Sequence, residues 1–364
     1  MSRKRNKFLI ALIILLVAAI IGTLAYIVVK NLNENNERKS LDNIAGSYAS
    51  GIENGTTSAT ESATEVTSPS INVKKVENPI DFKSLQQQNS DIYSWIYIPN
   101  TNVNYPVLQS HLDDNLYLDH DIYKNYSFSG SIYSQMCNKR DYSDRVTVLY
   151  GHNMAVGTFF ACLSEYWRTL YDSYDAPSMQ FYKDHPTITF NTLYEEAEWK
   201  IFGIGLFNIY EEYGEVYYNY NNKHDFTSRD DFNNFIIDLM DRSDIFTDVD
   251  IEYGDDILTL STCYWPFRSD MDNVRLAIFA RKVRPGESTY VDVSKAKVNT
   301  YVKRWQWVYD NIGGGYDWSQ SNWDRRKLLS YTEEDAERDG YTFIDDINDS
   351  DGIYDYNNGD GYDY

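Results

Sequence analysis

The sequence predicts a mainly β chain set behind an apolar N-terminal helix, and three stretches carry that expectation. Asp256–Val283, "DILTLSTCYWPFRSDMDNVRLAIFARKV", reads as strand, loop, strand, because Ile257–Leu260 and Val274–Val283 are both apolar and β-prone. Arg145–Met154, "RVTVLYGHNM", is a further β-prone run and ends at Gly151-His152-Asn153. Ser90–Gln109 alternates Ile, Trp, Tyr and Val around Pro99 and Pro106, which predicts short strands joined by a turn.

Residues 1–7 are basic, and residues 8–29 (Phe8–Val29) carry no charge over about 22 positions, enough for a ~30 Å hydrocarbon core. The basic flank predicts a cytoplasmic N-terminus and an uncleaved, single-pass signal anchor, with the rest of the chain outside the cell. A cleaved signal peptide is the rival; the run outlasts the usual h-region of about 7–15 residues, and no small-x-small site follows Val29. Residues 30–76, rich in Asn, Ser, Thr, Glu and Gly, read as a flexible stalk.

A short helix is expected at Asp81–Gln88, followed by the strands of Ser90–Gln109. His111 and His120 lie among acids, where solvated surface histidines are a better reading than a metal pair. Ser127–Ser134 and Arg145–Tyr150 read as strands, Gly157–Arg168 as a short helix, and Thr187–Asn191 and Trp199–Phe207 as two more strands. His185 precedes Pro186, which favours an extended or turn conformation. Ser228–Ser243 is the clearest helix: Ser228 is a candidate N-cap with Asp231 three residues on, and Phe232, Phe235, Ile236, Leu239 and Met240 recur at helical spacing. Beyond Val283, Asp292–Asp310 has amphipathic helical spacing that ends at Gly313–Gly315. The final stretch is acidic and Tyr-rich and reads as a disordered tail. Its "DSDGIYD" (Asp349–Asp355) lacks the first ligand and the closing Glu of a calcium loop.

A net charge of −22 and a pI near 4.5 exclude nucleic acid as a natural partner, since phosphate binding needs a basic surface. Only three cysteines occur, Cys137, Cys162 and Cys263, so no disulfide framework is implied. Whether Cys137 pairs with Cys162 stays open, and either way Cys263 is left over as a candidate reactive thiol.

Cys263 ends one strand and Arg275 opens the next, so the two side chains can face each other across neighbouring strands. A thiolate is a strong nucleophile, and a guanidinium beside it favours the thiolate and can stabilise an oxyanion. His152 supplies the missing proton carrier. TLSTC at Thr259–Cys263, Arg275 opening the following strand, and YGHNM at Tyr150–Met154 resemble the sortases, membrane-anchored cysteine transpeptidases of Gram-positive bacteria. The YGHNM form, the W-I-x-I-x-x-T-x-V-x-Y-P-V-x-Q pattern near the start, "DDNLYLDHD" (Asp113–Asp121) and the helix before the Cys strand resemble class B.

The resemblance implies a closed β-barrel with an N-terminal helix and an inserted helix before the Cys strand, in a catalytic domain at residues 77–285. Residues 286–364 form an extension beyond the family pattern. It further implies Cys263 as nucleophile, His152 as acid and base, and Arg275 as oxyanion donor. Arg268 is a rival for that last role, and Arg281, on the same strand face as Arg275, ranks below both. Ser261 and Thr262 border the thiol as candidate groove residues. No metal or organic cofactor is needed. The implied partners are secreted proteins with a C-terminal sorting signal of the LPxTG or NPQTN kind, an amine of peptidoglycan or its lipid-linked precursor, and membrane lipid around the anchor. A pilin lysine is the less frequent acceptor. A papain-like Cys–His hydrolase is disfavoured because its Cys precedes its His and caps a helix, whereas here His152 comes first and Cys263 ends a strand. A non-catalytic surface module on the same barrel is the remaining alternative.

Overall fold

The β-prone runs become the staves of a closed barrel. The computed structural model describes residues 2–49, 79–171, 179–217, 219–265, 274–311 and 323–341. Ten strands follow in chain order: β1 (Ile92–Tyr97), β2 (Asn104–Leu108), β3 (Ile132–Tyr133), β4 (Val146–Tyr150), β5 (Thr187–Thr192), β6 (Glu198–Phe207), β7 (Ile245–Phe246), β8 (Ile257–Tyr264), β9 (Val274–Lys282) and β10 (Lys297–Val298). Eight of them close in the order β1-β2-β3-β4-β8-β9-β6-β5, while β7 and β10 form a separate pair. The contacts of β2 with β3 and of β4 with β8 are parallel, and the others in the barrel are antiparallel.

Strand alternation sorts the side chains into two layers. Leu258 and Leu260 of β8 join Leu276, Ile278 and Ala280 of β9 in one buried cluster, whereas Ile257, Ala277 and Phe279 belong to a second cluster on the opposite face. The helix Arg229–Asp241 covers that second face with Phe232, Phe235, Ile236, Leu239 and Met240. Each such side chain, once buried, contributes about 1.5–3 kcal/mol. The Ser228 hydroxyl caps this helix by accepting from the Asp231 amide at 3.1 Å. Asp231, three residues on, does not return the bond to the Ser228 amide; its carboxylate accepts instead from the Thr227 amide (2.9 Å) and from Lys223 Nζ (2.6 Å).

Two expected elements are shorter in the fold. Of Ser127–Ser134 only Ile132–Tyr133 pairs as strand, since Gly130 turns the chain at φ 59°. The helix expected from Gly157 begins at Leu163, after Phe159 has taken φ 55°.

The N-terminal helix corrects the stalk boundary. It runs from Ser2 to Tyr48, about 70 Å at ~1.5 Å per residue, so residues 30–48 are helical and not a flexible stalk. Its end docks: Ile44 and Ala49 are buried with Ile80, Phe82, Leu85 and Trp95. Its apolar part qualifies as a membrane span by length and composition. The rest of the expected stalk lies outside the described residues.

The extension after Val283 folds back onto the barrel. Trp323, Leu328, Tyr331 and Ala336 join the second cluster, and Asn233 Nδ2 donates to the Ser330 carbonyl at 3.0 Å. The helix expected over Asp292–Asp310 reduces to Gln306–Asn311, preceded by a 3-10 turn at Val293–Lys295 and by β10. Residues 342–364, with the calcium-like loop, lie outside the described residues.

At the far end of β9 from Arg275, Arg281 is only 1% exposed. Its guanidinium grips Glu287 bidentately at 2.6 and 2.7 Å and reaches Asp250 at 2.6 Å, while Lys200 Nζ donates to Glu287 at 2.6 Å. Arg281 is thus a structural charge, which removes it as a rival anion donor. These hydrogen bonds, led by those from Arg281, hold the Glu287 carboxyl well below the usual carboxylate range. A folded-state pKa below the unfolded one gives stability that is present above pH ~4.3 and lost as pH falls below it. Glu287→Gln is expected to cost about 2 kcal/mol at neutral pH and to flatten the acid limb of stability. Urea melts between pH 7 and pH 3 test this; an acid limb parallel to that of the wild type would count against it.

Candidate active site

β8 and β9 form a hairpin whose register sets Cys263 directly opposite Arg275. Directly paired residues project from the same face of a sheet, so the thiol and the guanidinium meet. Arg275 Nη1 donates to Cys263 Sγ at 3.1 Å. Both side chains lie on the face that carries Ala277 and Phe279, away from the cluster of Leu260 and Leu276. The loop between the hairpin strands, with Pro266 and Arg268, lies outside the described residues.

β4 lies parallel to β8 with Tyr150 opposite Ser261, so the Gly151-His152-Asn153 turn emerges beside the Cys263 end of β8. Hydrogen bonds on both sides of His152 lock the turn there. The Gly151 amide donates to the Ser261 carbonyl (3.3 Å), the Thr262 hydroxyl to the Gly151 carbonyl (2.7 Å), and Asn153 Nδ2 to the Cys263 carbonyl (3.0 Å). Position 151 has no room for a side chain, because a Cβ there would stand 2.3 Å from Ile132 Cδ1.

His152 Nε2 lies 2.7 Å from the Leu118 carbonyl oxygen. A carbonyl only accepts, so Nε2 carries a proton and Nδ1 is the nitrogen left for proton exchange. The Phe128 ring stacks on the imidazole, with centroids 6.3 Å apart and planes at 9°. Tyr133 is close enough for its ionisation to feel both Arg275 and Cys263, and burial pushes its phenol up to about 12, so it stays neutral.

Ser261 and Thr262, the candidate groove residues, are each 2% exposed. The Ser261 hydroxyl lies 3.3 Å from the Tyr220 hydroxyl, and Thr262 holds the Gly151 turn, so both are scaffold for the site. All three cysteines are free thiols. Burial pushes the Cys162 thiol up to about 11, which leaves it protonated and inert at neutral pH. His111 faces Asp91 at 3.6 Å, and His120 Nδ1 sits 2.9 Å from the Leu116 carbonyl. His185 Nδ1 sits 2.8 Å from the Pro99 carbonyl. The pattern of apolar runs gave no hint of Leu118, Phe128 or Tyr133; Asn153 sits within the YGHNM motif.

Residues 96–283 match the sortase domain model. The chain belongs to the sortase family. It is 30% identical over 183 residues to sortase B of Listeria monocytogenes, covering 50% of this chain and 67% of that protein. Against sortase B of Staphylococcus aureus it is 30% identical over 182 residues, with the same coverage. A crystal structure of sortase B from Bacillus anthracis superposes with a TM-score of 0.51 at 26% identity, over 69% of this chain and 97% of that one. Within the family the chain is a class B enzyme, a cysteine transpeptidase.

Proposed function

We propose that this enzyme cleaves a C-terminal sorting signal after its Thr and transfers the new carboxyl terminus to a cell-wall amine. The observation that carries the reading is the Arg275–Cys263 contact at 3.1 Å beside the locked His152 turn. In the proposed sequence the Cys263 sulfur attacks the Thr carbonyl carbon, and the oxyanion that forms is stabilised by Arg275. As the C–N bond breaks, imidazolium His152 gives its proton to the leaving amine, and a thioester remains. An incoming amine then attacks the thioester, His152 takes a proton from it, and the C–S bond breaks to release the product and the thiolate.

The acceptor is proposed to be an amine of peptidoglycan or its lipid-linked precursor. The apolar run Phe8–Val29 is proposed to span the membrane with the N-terminus in the cytoplasm, which sets the barrel outside, where such amines occur.

The test uses the full chain in nanodiscs with a panel of sorting-signal peptides and an amine acceptor, read by mass spectrometry. The expected result is an acyl adduct ending in Thr on the Cys263 peptide, together with peptide joined to the amine. Cleavage without ligation would replace transfer by hydrolysis. No adduct with any peptide, while the thiol remains alkylatable, would favour the non-catalytic module.

A further inference from the structure

The loop Asp121–Gly130 leaves three large aromatic side chains bare: Tyr123, Tyr126 and Phe128 are 48%, 73% and 69% exposed. They are not scattered over the surface. Together with Tyr26, Val29 and Lys30, at the end of the apolar run of the N-terminal helix, they line one open groove of about 810 Å³. The loop is pinned to that helix farther along, where the Ser127 and Ser129 hydroxyls donate to the two carboxylate oxygens of Glu37 at 2.7 and 2.6 Å. Glu37 stands about 12 Å along the helix beyond Val29, at ~1.5 Å per residue. The carboxylate of Asp121 is turned onto the loop's own backbone, accepting from the amides of Tyr123 and Asn125, both at 2.8 Å. Tyrosines beside the last apolar turn of a span are the arrangement found at the headgroup level of a bilayer, where an amphipathic ring has one apolar and one wet side.

We infer that Asp121–Gly130 is a membrane-surface loop, with Tyr123, Tyr126 and Phe128 seated in the lipid headgroup region beside the emerging helix. This rests on reading Phe8–Val29 as a bilayer span. Because Phe128 stacks on His152, the site then opens at the bilayer surface, where a lipid-linked acceptor and a still-anchored substrate would both present their reacting groups.

The experiment uses the full chain in nanodiscs of phosphatidylcholine and phosphatidylglycerol, with and without brominated acyl chains, which quench nearby indoles. Tyr126→Trp is expected to add a fluorescence increment over the parent that bromination reduces at least twofold. Tyr290→Trp, equally exposed but beyond the far end of β9, should add an increment that bromination leaves unchanged. Glu37→Ala in the Tyr126→Trp chain should weaken the quenching by freeing the loop from the helix. An unquenched increment from Tyr126→Trp, in a chain that resists alkaline carbonate extraction, would overturn the inference and leave the span standing. Extraction of the chain by carbonate would overturn the span and the inference with it.

Discussion

Arg275→Ala is expected to lower kcat for peptide transfer by about 10²–10³-fold, the usual effect of losing one donor to a developing oxyanion. KM should change little, since the contact at issue is with sulfur and with charge that appears only during reaction. Alkylation of Cys263 should slow as well, because the N–H contact to the thiol is lost. Arg275→Lys should restore only a small part of the rate. A lysine offers one rotating ammonium where the guanidinium presents a rigid fork able to reach sulfur and oxyanion together. Single-turnover acylation with a sorting-signal peptide is the measurement. A kcat within threefold of wild type for Arg275→Ala would pass the oxyanion role to another donor, and Arg268 is the first to try.

Gly130→Ala should be nearly as damaging, although position 130 touches neither His152 nor Cys263. Gly130 adopts φ 59°, and a Cβ there would stand 2.4 Å from the Leu118 carbonyl oxygen and 2.5 Å from that of Tyr117. The Leu118 oxygen is the one that holds His152 Nε2. Backbone must move to admit the methyl, and the imidazole moves with its acceptor. We expect a stability loss of at least ~2 kcal/mol and a fall in kcat of about tenfold to a hundredfold, in keeping with the cost of displacing a catalytic group by ~1 Å. Gly254→Ala is the control: it shares the strain of a positive φ (110°) but meets nothing within 4 Å. It should lose stability while keeping kcat. Equal kcat in the two variants would show that Gly130 has no hold on the histidine.

Much of the barrel and the pairing of Cys263 with Arg275 was legible in the sequence, because both depend on local signals. β8 and β9 are runs of Val, Ile, Leu and Phe, and a thiol at the end of one strand and an arginine at the start of the next can only face each other if the two form a hairpin. His152 was legible for a related reason, as a polar turn after Val146–Tyr150. Leu118 was not, since its contribution is a backbone carbonyl that any residue would supply. Ser261 and Thr262 looked like groove residues by adjacency to the thiol, yet their hydroxyls meet the Tyr220 hydroxyl and the Gly151 carbonyl, contacts between distant parts of the chain that spacing does not reveal. The stalk was misjudged over residues 30–48 because Asn, Glu, Lys and Arg are common to linkers and solvated helices; docking of Ile44 and Ala49, a tertiary effect, decides between them. The folded part of the extension hid for the opposite reason: Trp323, Leu328 and Tyr331 are spaced without period in polar surroundings.

The parallel pairing of β4 with β8 has a kinetic consequence. His152 and Cys263 come from strands that are neighbours in the barrel but more than a hundred residues apart in the chain, so the intervening segment must be closed before the two can meet. Closure of that kind is entropically costly and late. No hairpin, helix or fragment formed early during folding contains a nucleophile next to its proton carrier. On the proposed reading an unfolded chain therefore carries a silent thiol, and reaction waits until β4 and β8 lock side by side.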